Sequence, residues 1–285
     1  MRILVTGSCG QLGRSLQAVS VNHPQHTYFF TDVNDLDICD EERVDDFFGR
    51  HDIECVVNCA AYTAVDRAED EPERCRLLNT TAPGYLAKIA EKHGAAMIQI
   101  STDYVFDGKT FRPYTEERET SPISVYGRTK LDGEQLVTAH CQQAMIVRTA
   151  WLYSEYGNNF VKTMLRLGRE REDLGVVSDQ IGTPTYAGDL AEALLTMIDR
   201  GVIRGTYHYS NEGVCSWYDF TLAIHRLAAI TSCRVRPLHT EEYPTKAVRP
   251  YYSVLDKTKI KTTFNLSIPH WLASLEGCVQ RLINE

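Results

Sequence analysis

Short apolar runs and longer amphipathic segments alternate along the first half of the chain. The apolar runs are rich in β-branched and aromatic residues and predict strands at residues 3–6, 28–32, 55–59, 97–101 and 145–149. Between them, apolar positions recur at helical spacing and predict helices over residues 12–19, 41–50, 74–92 and 127–139. Strands that alternate with helices in this way form βαβ units, so we predict an α/β fold with a doubly wound parallel sheet that is buried on both faces.

The alternation becomes irregular after about residue 150, where glycine, asparagine and proline interrupt the pattern. Helical spacing persists over residues 188–199 and 217–229. We therefore predict a first domain over residues 1–150, which also receives later sheet elements from about residues 174–205. A smaller, loop-rich region over residues 151–285 is expected to be interleaved with it.

The composition limits the class of protein. A net charge of −8 argues against a broad nucleic-acid-binding surface, and no apolar run approaches the roughly 20 residues that cross a bilayer. Because the first seven residues already read as a buried strand, we expect no leader sequence, no membrane association and a cytoplasmic location. The nine cysteines include no CxxC pair and the nine histidines no HExxH motif, so we expect free thiols and no metal site.

A glycine-rich turn follows the first predicted strand and precedes the first helix. It reads Gly7-Ser8-Cys9-Gly10-Gln11-Leu12-Gly13. Glycine is needed where such a turn is tight, where the backbone must approach a pyrophosphate, and where the helix packs closely on the sheet. Because the helix N-terminus then faces an anion, we predict that Gly7, Gly10, Gln11, Leu12 and Gly13 bind a dinucleotide. Residues 1–150 are thus expected to be a Rossmann-type dinucleotide-binding domain, and residues 151–285 mainly a substrate-binding region.

Asp32 ends the second predicted strand, 19 residues after Gly13. An acid at this point can hydrogen-bond the adenosine ribose and repel a 2′-phosphate, which favours NADH. Asp is also a common turn residue, and Asp35 lies close by, so a role in the turn alone stays open. We expect NADH or NADPH as cofactor, with NADH accepted at least as well as NADPH.

A tyrosine and a lysine, Tyr126 and Lys130, are spaced so that they share one face of a predicted helix. Reduction of a ketone needs a proton donor for the nascent alkoxide, and a tyrosine can serve if a nearby cation lowers its pKa. The strand over residues 97–101 leads into two hydroxyl residues, Ser101 and Thr102. Because ligands bind outside the carboxyl ends of strands in such sheets, either hydroxyl could hydrogen-bond the substrate oxygen.

These motifs and others along nearly the whole chain resemble the extended short-chain dehydrogenases and, within them, the dTDP-4-dehydrorhamnose reductase family. The matching segments are the GxxGxxG turn, residues 58–69 (NCAAYTAVDRAE), 101–108 (STDYVFDG), 126–130 (YGRTK), 148–151 (RTAW), 158–160 (NNF), 179–185 (DQIGTPT) and 249–250 (RP). The resemblance implies an NAD(P)-dependent oxidoreductase. It would reduce the 4-keto group of dTDP-6-deoxy-L-lyxo-4-hexulose to dTDP-L-rhamnose.

The resemblance also implies roles for single residues. Tyr126 would donate the proton, Lys130 would bind the nicotinamide ribose and tune Tyr126, and Thr102 would polarise the 4-keto oxygen. The remaining implied positions are Asp37 and Ile38 at the adenine, Ala60, Ala61 and Tyr62 in the cofactor cleft, Thr63, Val65, Asp103 and Trp151 at the substrate, and Arg249 at the diphosphate. A guanidinium suits that last role because it meets phosphate with two hydrogen bonds, whereas Trp151 could instead serve core packing.

One segment departs from some members of this family. Several bacterial relatives form a dimer bridged by a metal on glutamates, but residues 186–190 read YAGDL here and contain no glutamate. A metal-bridged dimer is therefore in doubt, and the chain is expected to be a monomer or a homodimer.

Two other functions stay open. The same fold serves nucleotide-sugar epimerases and dehydratases, but dehydratases carry Asp-Glu after the threonine, whereas Thr102 is followed by Asp103 and Tyr104. The resemblance also extends to the β subunit of methionine adenosyltransferase, a regulatory protein that can bind NADP without turning over a sugar. The intact set of Thr102, Tyr126 and Lys130 favours catalysis, and hence reduction.

Overall fold

The computed structural model describes residues 1–284 as alternating strands and helices. The strands are β1 (Arg2–Thr6), β2 (Thr27–Thr31), β3 (Cys55–Asn58), β4 (Ala96–Thr102), β5 (Ala144–Thr149), β6 (Leu152–Tyr153), β7 (Asp173–Val177), β8 (Ile181–Gly182), β9 (Thr185–Tyr186), β10 (Gly205–His208), β11 (Cys215–Ser216) and β12 (Arg234–Leu238). The helices are α1 (Gln11–Val19), α2 (Glu41–His51), α3 (Val65–Ala68), α4 (Pro72–Arg76), α5 (Ala82–Lys92), α6 (Val125–His140), α7 (Phe160–Glu170), α8 (Ala187–Asp199), α9 (Trp217–Leu227), α10 (Thr258–Phe264) and α11 (Trp271–Asn284).

Six strands form one parallel sheet in the order β2-β1-β3-β4-β5-β10. The five strands predicted from the sequence are confirmed, as is the doubly wound α/β fold. The chain leaves β1 toward β2 on one side and returns to β3 on the other. The carboxyl ends of β1 and β3 therefore border the crevice in which such sheets bind ligands.

Side chains from alternate positions of the strands enter two separate cores. Ile3 and Val5 of β1 face a core that includes Leu194 of α8 and Phe264 of α10. Leu4 faces the opposite core, which is built with residues of α2, α5 and α6. Helices thus cover both faces of the sheet, as the continuous apolar strands require.

A third core lies in the second half of the chain. Side chains of α7, α9 and α11 pack together around residues such as Phe220 and Leu275, both fully buried. Beside them β7 pairs with β12 in a small parallel sheet of their own, outside the main sheet. The sequence predicts later sheet elements from about residues 174–205. The structure has α8 covering the sheet within this range and adds β10, residues 205–208, as its sixth strand.

Candidate active site

The glycine-rich turn between β1 and α1 is packed against the loop that follows β3. Gly7 has a φ of +64°, and an ideal Cβ there would lie 2.6 Å from the backbone nitrogen of Ala60. A Cβ at Gly13 would lie 2.4 Å from the carbonyl oxygen of Gly7. Among the described residues no side chain caps α1 at Gly10, and its first turn has no acidic residue. The turn therefore fits a pyrophosphate, which needs close backbone and a free helix N-terminus.

The carboxylate of Asp32 supports this turn. It accepts hydrogen bonds from the backbone N–H groups of Cys9 and Val33, each at 2.9 Å. The backbone N–H of Ser8 donates to the carbonyl oxygen of Thr31 at 3.0 Å. Asp32 thus has a role in the turn, and its contact with a ribose stays a prediction.

The other predicted cofactor residues follow β2 and β3. Ile38 is buried in the core between the sheet and α2, and Asp37 accepts a hydrogen bond from the N–H of Cys39 at 2.9 Å. Ala60 and Ala61 are partly buried after β3, and Tyr62 is buried. The cofactor contacts of all five residues remain predictions.

Asn79 fixes the loop after β3 and was missed by the sequence analysis. Its side-chain amide forms two hydrogen bonds with the backbone of Tyr62. It accepts from the N–H at 2.9 Å and donates to the carbonyl oxygen at 3.0 Å. Asn79 lies in a π-helical turn, residues 77–81, between α4 and α5. The sequence did contain a signal for this residue, because Asn79 is a polar residue between apolar positions of a predicted helix. A buried amide at such a position must find hydrogen-bond partners.

Tyr126 lies at the start of α6, next to the end of β4. The close approach depends on Gly127, where an ideal Cβ would lie 2.2 Å from the carbonyl oxygen of Tyr104. Burial raises the pKa of Tyr126 well above its usual value, and the negative charge of Asp103 raises it further, whereas the nearby Thr102 hydroxyl opposes the rise. The side chain is therefore a neutral phenol at neutral pH, the form that can donate a proton.

The two hydroxyls at the end of β4 differ in their partners. Ser101 is buried and donates to the carboxylate of Glu134. Thr102 donates to Asp103 at 2.9 Å and accepts from the N–H of Tyr104 at 3.2 Å. The structure thus brings the Thr102 hydroxyl, and not that of Ser101, to Tyr126.

Asp103 is a buried carboxyl beside these hydroxyls. Within residues 1–284 its Oδ2 atom has no hydrogen-bond partner. Burial raises the pKa of Asp103 to about 6, although the hydroxyls of Ser253 and Thr102 oppose the rise. Ser253 follows the predicted diphosphate residue Arg249, so this distant segment of the chain adjoins the carboxyl end of β4.

Lys130 is buried one turn after Tyr126 in α6. Its Nζ atom donates to the carbonyl oxygen of Ile100 at 2.6 Å. Burial lowers the pKa of Lys130 to about 8, and the carboxylate of Glu134 opposes that fall. In the part of the chain that the structure describes, no hydrogen bond joins Lys130 to Tyr126, so tuning of the phenol by this lysine stays a prediction.

The predicted substrate residues lie in three segments. Thr63 is exposed and Val65 partly buried at the start of α3. Trp151 follows β5 and stacks on Trp217, a partner that was not predicted. The guanidinium of Arg249 forms two hydrogen bonds with the carboxylate of Asp66, at 3.1 and 2.7 Å. A diphosphate contact by Arg249 would have to compete with this ion pair.

Gln11 links the glycine-rich turn to the second half of the chain. Its side-chain oxygen accepts hydrogen bonds from Ser154 at 3.1 Å and from Asn159 at 3.0 Å. Its amide nitrogen donates to the carbonyl oxygen of Leu152 at 3.4 Å. A residue predicted to bind cofactor thus also contacts the predicted substrate region.

Two further properties concern residues 1–284. None of the helices in this range combines the length and the apolar character that a bilayer-spanning helix requires. The range also contains no group of three or more His, Cys, Asp or Glu residues arranged to hold a metal ion.

The chain is similar to known proteins along almost its whole length. The family model described as the RmlD substrate binding domain matches residues 1–284. A dTDP-4-dehydrorhamnose reductase of Aggregatibacter actinomycetemcomitans is 40% identical over 97% of both chains. The crystal structure of a dTDP-4-dehydrorhamnose reductase from Clostridium acetobutylicum has a TM-score of 0.96 and 45% identity, covering 99% of this chain and 100% of that one.

A second similar structure was solved with a bound ligand. The dTDP-4-dehydrorhamnose reductase of Bacillus anthracis, in complex with NADP, has a TM-score of 0.94 and 39% identity, covering 98% of this chain and 99% of that one. The family model and these relatives span almost the whole chain. The chain therefore belongs to the dTDP-4-dehydrorhamnose reductase family, whose model is the RmlD substrate binding domain.

Proposed function

We propose that this protein reduces the 4-keto group of dTDP-6-deoxy-L-lyxo-4-hexulose to give dTDP-L-rhamnose. One observation carries the proposal: a neutral phenol, Tyr126, lies close to the Thr102 hydroxyl at the carboxyl end of β4, in the same sheet whose first strand leads into a turn shaped for a dinucleotide. Membership of the family supplies the substrate class. The bound nicotinamide cofactor supplies the hydride.

In this proposal the residues at the end of β4 and the start of α6 carry the proton transfer. The Thr102 hydroxyl turns from Asp103 to the substrate and donates a hydrogen bond that polarises the keto oxygen, and Tyr126 then gives its proton to the alkoxide. The buried, positively charged Lys130 favours the phenolate that Tyr126 leaves behind. It also contacts the nicotinamide ribose. Asp103, whose Oδ2 atom lacks a partner within residues 1–284, accepts a hydrogen bond from the sugar.

The remaining roles concern binding. We assign the cofactor to Gly7, Gly10, Gln11, Leu12, Gly13, Asp32, Asp37, Ile38, Ala60, Ala61 and Tyr62, and the nucleotide sugar to Thr63, Val65, Trp151 and Arg249. Either NADPH or NADH is accepted, since the relative that binds NADP shares the fold and Asp32 here favours the cofactor without a 2′-phosphate.

The proposal extends to organisation and location. Residues 1–150 form the dinucleotide-binding domain, and residues 151–285 mainly bind the substrate. The protein acts as a monomer or a homodimer without a bridging metal. We assign it to the cytoplasm, because all nine cysteines are free thiols, the state that a reducing compartment maintains.

Coupled turnover tests the activity. Purified protein is mixed with enzymatically generated dTDP-6-deoxy-L-lyxo-4-hexulose and with NADH or NADPH in parallel, and the sugar product is identified by NMR. We expect cofactor oxidation that depends on the keto sugar and yields dTDP-L-rhamnose. Cofactor binding without oxidation would instead indicate a regulatory protein, and sugar conversion without cofactor consumption would indicate an epimerase or dehydratase.

A further inference from the structure

Three ionisable side chains lie together behind the candidate active site. Lys130 and Glu134 are one turn apart in α6, and Arg148 lies on β5. Each is at most 5% exposed. Charged groups are rarely buried to this extent unless they compensate one another.

Both carboxylate oxygens of Glu134 are engaged. Arg148 donates to one oxygen through Nε at 2.9 Å and to the other through Nη2 at 2.7 Å, and the Ser101 hydroxyl donates as well. The guanidinium also lies over the ring of Phe106, 5.2 Å from its centroid. Arg148 and Ser101 therefore hold the carboxylate in one position.

A histidine lies on the far side of Arg148. The Nε2 atom of His208 is 3.5 Å from the guanidinium. Burial and the charge of Arg148 lower the pKa of His208 to about 3, so it is neutral at neutral pH. The formal charges of Lys130, Glu134 and Arg148 therefore sum to one positive charge, to which His208 adds none.

The groups that face Lys130 come from three elements. Glu134 lies on the same helix, Cys75 on α4, and Cys59 in the loop after β3. Burial raises the pKa of Cys59 to about 12 and also raises that of Cys75, so both thiols are uncharged at neutral pH. Tyr126, one turn before Lys130, is a neutral phenol. Lys130 and Glu134 are four residues apart in α6 and contact consecutive residues of β4, the Ile100 carbonyl and the Ser101 hydroxyl, so their side chains lie next to each other. The carboxylate near the buried ammonium group is therefore that of Glu134.

We propose that Glu134 is a positioning residue for the reaction, because its carboxylate keeps Lys130 positively charged inside the cleft. Without it, Lys130 and Arg148 would be two buried cations with no shared counter-charge, and the lysine is the one that can lose its proton. The inference rests on the proposed function only in that the charge of Lys130 serves catalysis. The link between Glu134 and Lys130 is a property of the protein alone and can be measured without substrate.

NMR titration of protein labelled with ¹³C at the lysine ε-carbons measures this link directly. The Lys130 signal is identified by its absence from Lys130→Arg. In Glu134→Gln, which keeps the size and a hydrogen-bonding oxygen, we expect the pKa of Lys130 to fall by about one to three units. Asp132→Asn is the matched control: it removes one charge from the same helix, but Asp132 lies on its accessible side and pairs with Arg76. Its effect on Lys130 should be small.

A second variant separates the charge of Glu134 from a role in folding. Glu134→Gln leaves Arg148 buried without its partner and can therefore destabilise the fold. Glu134→Gln combined with Arg148→Met removes both charges, so the fold is expected to recover while Lys130 still lacks its carboxylate. The pKa of Lys130 should fall in this double variant too, but by less than in Glu134→Gln, because the positive charge of Arg148 is removed as well. A Lys130 pKa that stays unchanged in either folded variant would overturn the inference, as would a wild-type Lys130 that is uncharged at neutral pH.

Kinetics then separate the inference from the proposed function. The alkaline limb of the pH profile of kcat/KM should move to lower pH in Glu134→Gln by the same amount as the NMR titration. If the titration moves and the kinetic limb does not, the charge of Lys130 is not used in the reaction, which contradicts its proposed catalytic role. A merely structural role for Glu134 would lower activity at every pH and leave the position of the limb unchanged.

Discussion

The indole rings of Trp151 and Trp217 lie almost parallel, with 3.5 Å between their centroids and 10° between their planes. Trp151 has a φ of +50°, which residues other than glycine rarely adopt. Its ring lies over Gly182, where an ideal Cβ would be 2.6 Å from two of the ring carbons. The position of this predicted sugar-binding side chain thus depends on two distant segments of the chain.

We therefore expect Gly182→Ala to displace the ring of Trp151. The added methyl group should destabilise the fold by about 1–3 kcal/mol and raise KM for the nucleotide sugar several-fold, with little change in cofactor affinity. Steady-state kinetics and thermal unfolding measure the two effects. Gly49→Ala is the control, because this exposed glycine of α2 has room for a Cβ, 3.6 Å from the His93 ring; it should stabilise by about 0.5–1 kcal/mol. An unchanged KM in Gly182→Ala would show that the sugar does not depend on Trp151.

Tyr126→Phe tests the proton donor. The variant keeps the ring and loses one hydroxyl, so the fold and the glycine-rich turn should survive. Because positioned general-acid catalysis contributes about 10²–10⁴ in rate, we expect kcat to fall by that factor while nicotinamide affinity stays within a few-fold. Cofactor fluorescence titration and turnover of the 4-keto sugar give the two quantities.

Lys130→Met provides the comparison for that variant. It should impair turnover and also weaken cofactor binding, since we assign Lys130 both to the nicotinamide ribose and to the phenol. Near-normal turnover in Tyr126→Phe would mean that another group protonates the product.

Asp32 is expected to influence the choice of cofactor. Replacing it with Ala or Asn removes the charge that repels a 2′-phosphate, so kcat/KM should shift from NADH toward NADPH in both variants. Asp32→Asn retains an oxygen that can accept from the N–H of Cys9, and it therefore controls for damage to the turn. If the wild type strongly prefers NADPH and neither variant changes that preference, Asp32 only supports the turn.

Arg249 is expected to bind the diphosphate. Arg249→Ala should raise KM for the nucleotide sugar about tenfold or more, because a hydrogen bond to a charged group contributes about 1.5–3 kcal/mol, and should lower kcat far less. Asp66→Asn is the control, since it breaks the ion pair and leaves the guanidinium in place. Its KM should stay the same or fall. Loss of affinity in Asp66→Asn alone would assign the ion pair a structural role and remove Arg249 from the site.

His208 is expected to make the fold sensitive to acid. Its pKa is lowered from 6.5 to about 3 in the folded protein by burial, so unfolding takes up a proton below pH 6.5. The buried, neutral His208 therefore contributes fully to stability above pH 6.5. Below pH 6.5 this contribution declines by about 1.4 kcal/mol for each pH unit. Urea unfolding from neutral to acidic pH should show a shallower decline in His208→Gln than in the wild type. His239→Gln, at a side chain that is 76% exposed, should leave the wild-type slope unchanged, and equal slopes in all three proteins would contradict the prediction.

The central sheet was predictable from the sequence because its strands are fully buried. Runs such as those of β3 and β5 stay apolar at every position that faces a core, and the helices between them keep a clear apolar face. The second half of the chain was harder to predict. Helices α7 and α11 were not predicted, although α7 is strongly amphipathic. Its apolar face meets α9, more than 40 residues away in sequence, and β7 reads as a sheet strand although it pairs only with β12.

The candidate site was also only partly predictable from the sequence. Local motifs identified the glycine-rich turn and the Tyr126 and Lys130 pair, since each lies within one strand-to-helix junction or one helix. Spacing alone did not distinguish Ser101 from Thr102, because the difference comes from Glu134 and Arg148 on neighbouring elements. Nor did it predict the ion pair of Arg249 with Asp66, which joins residues 183 positions apart.

The sixth strand bears on how the protein folds as it is synthesised. Strand β5 is completed by β10, and Ile260 and Phe264 of α10 share one core with Ile3 and Val5 of β1. When residues 1–150 have left the ribosome, β5 is therefore still an open edge of the sheet, and one face of the sheet is still partly uncovered. Contacts between such distant parts of a chain form slowly. We therefore expect the cofactor cleft to be completed only after α10 has been synthesised, and the open edge of β5 to favour aggregation until then.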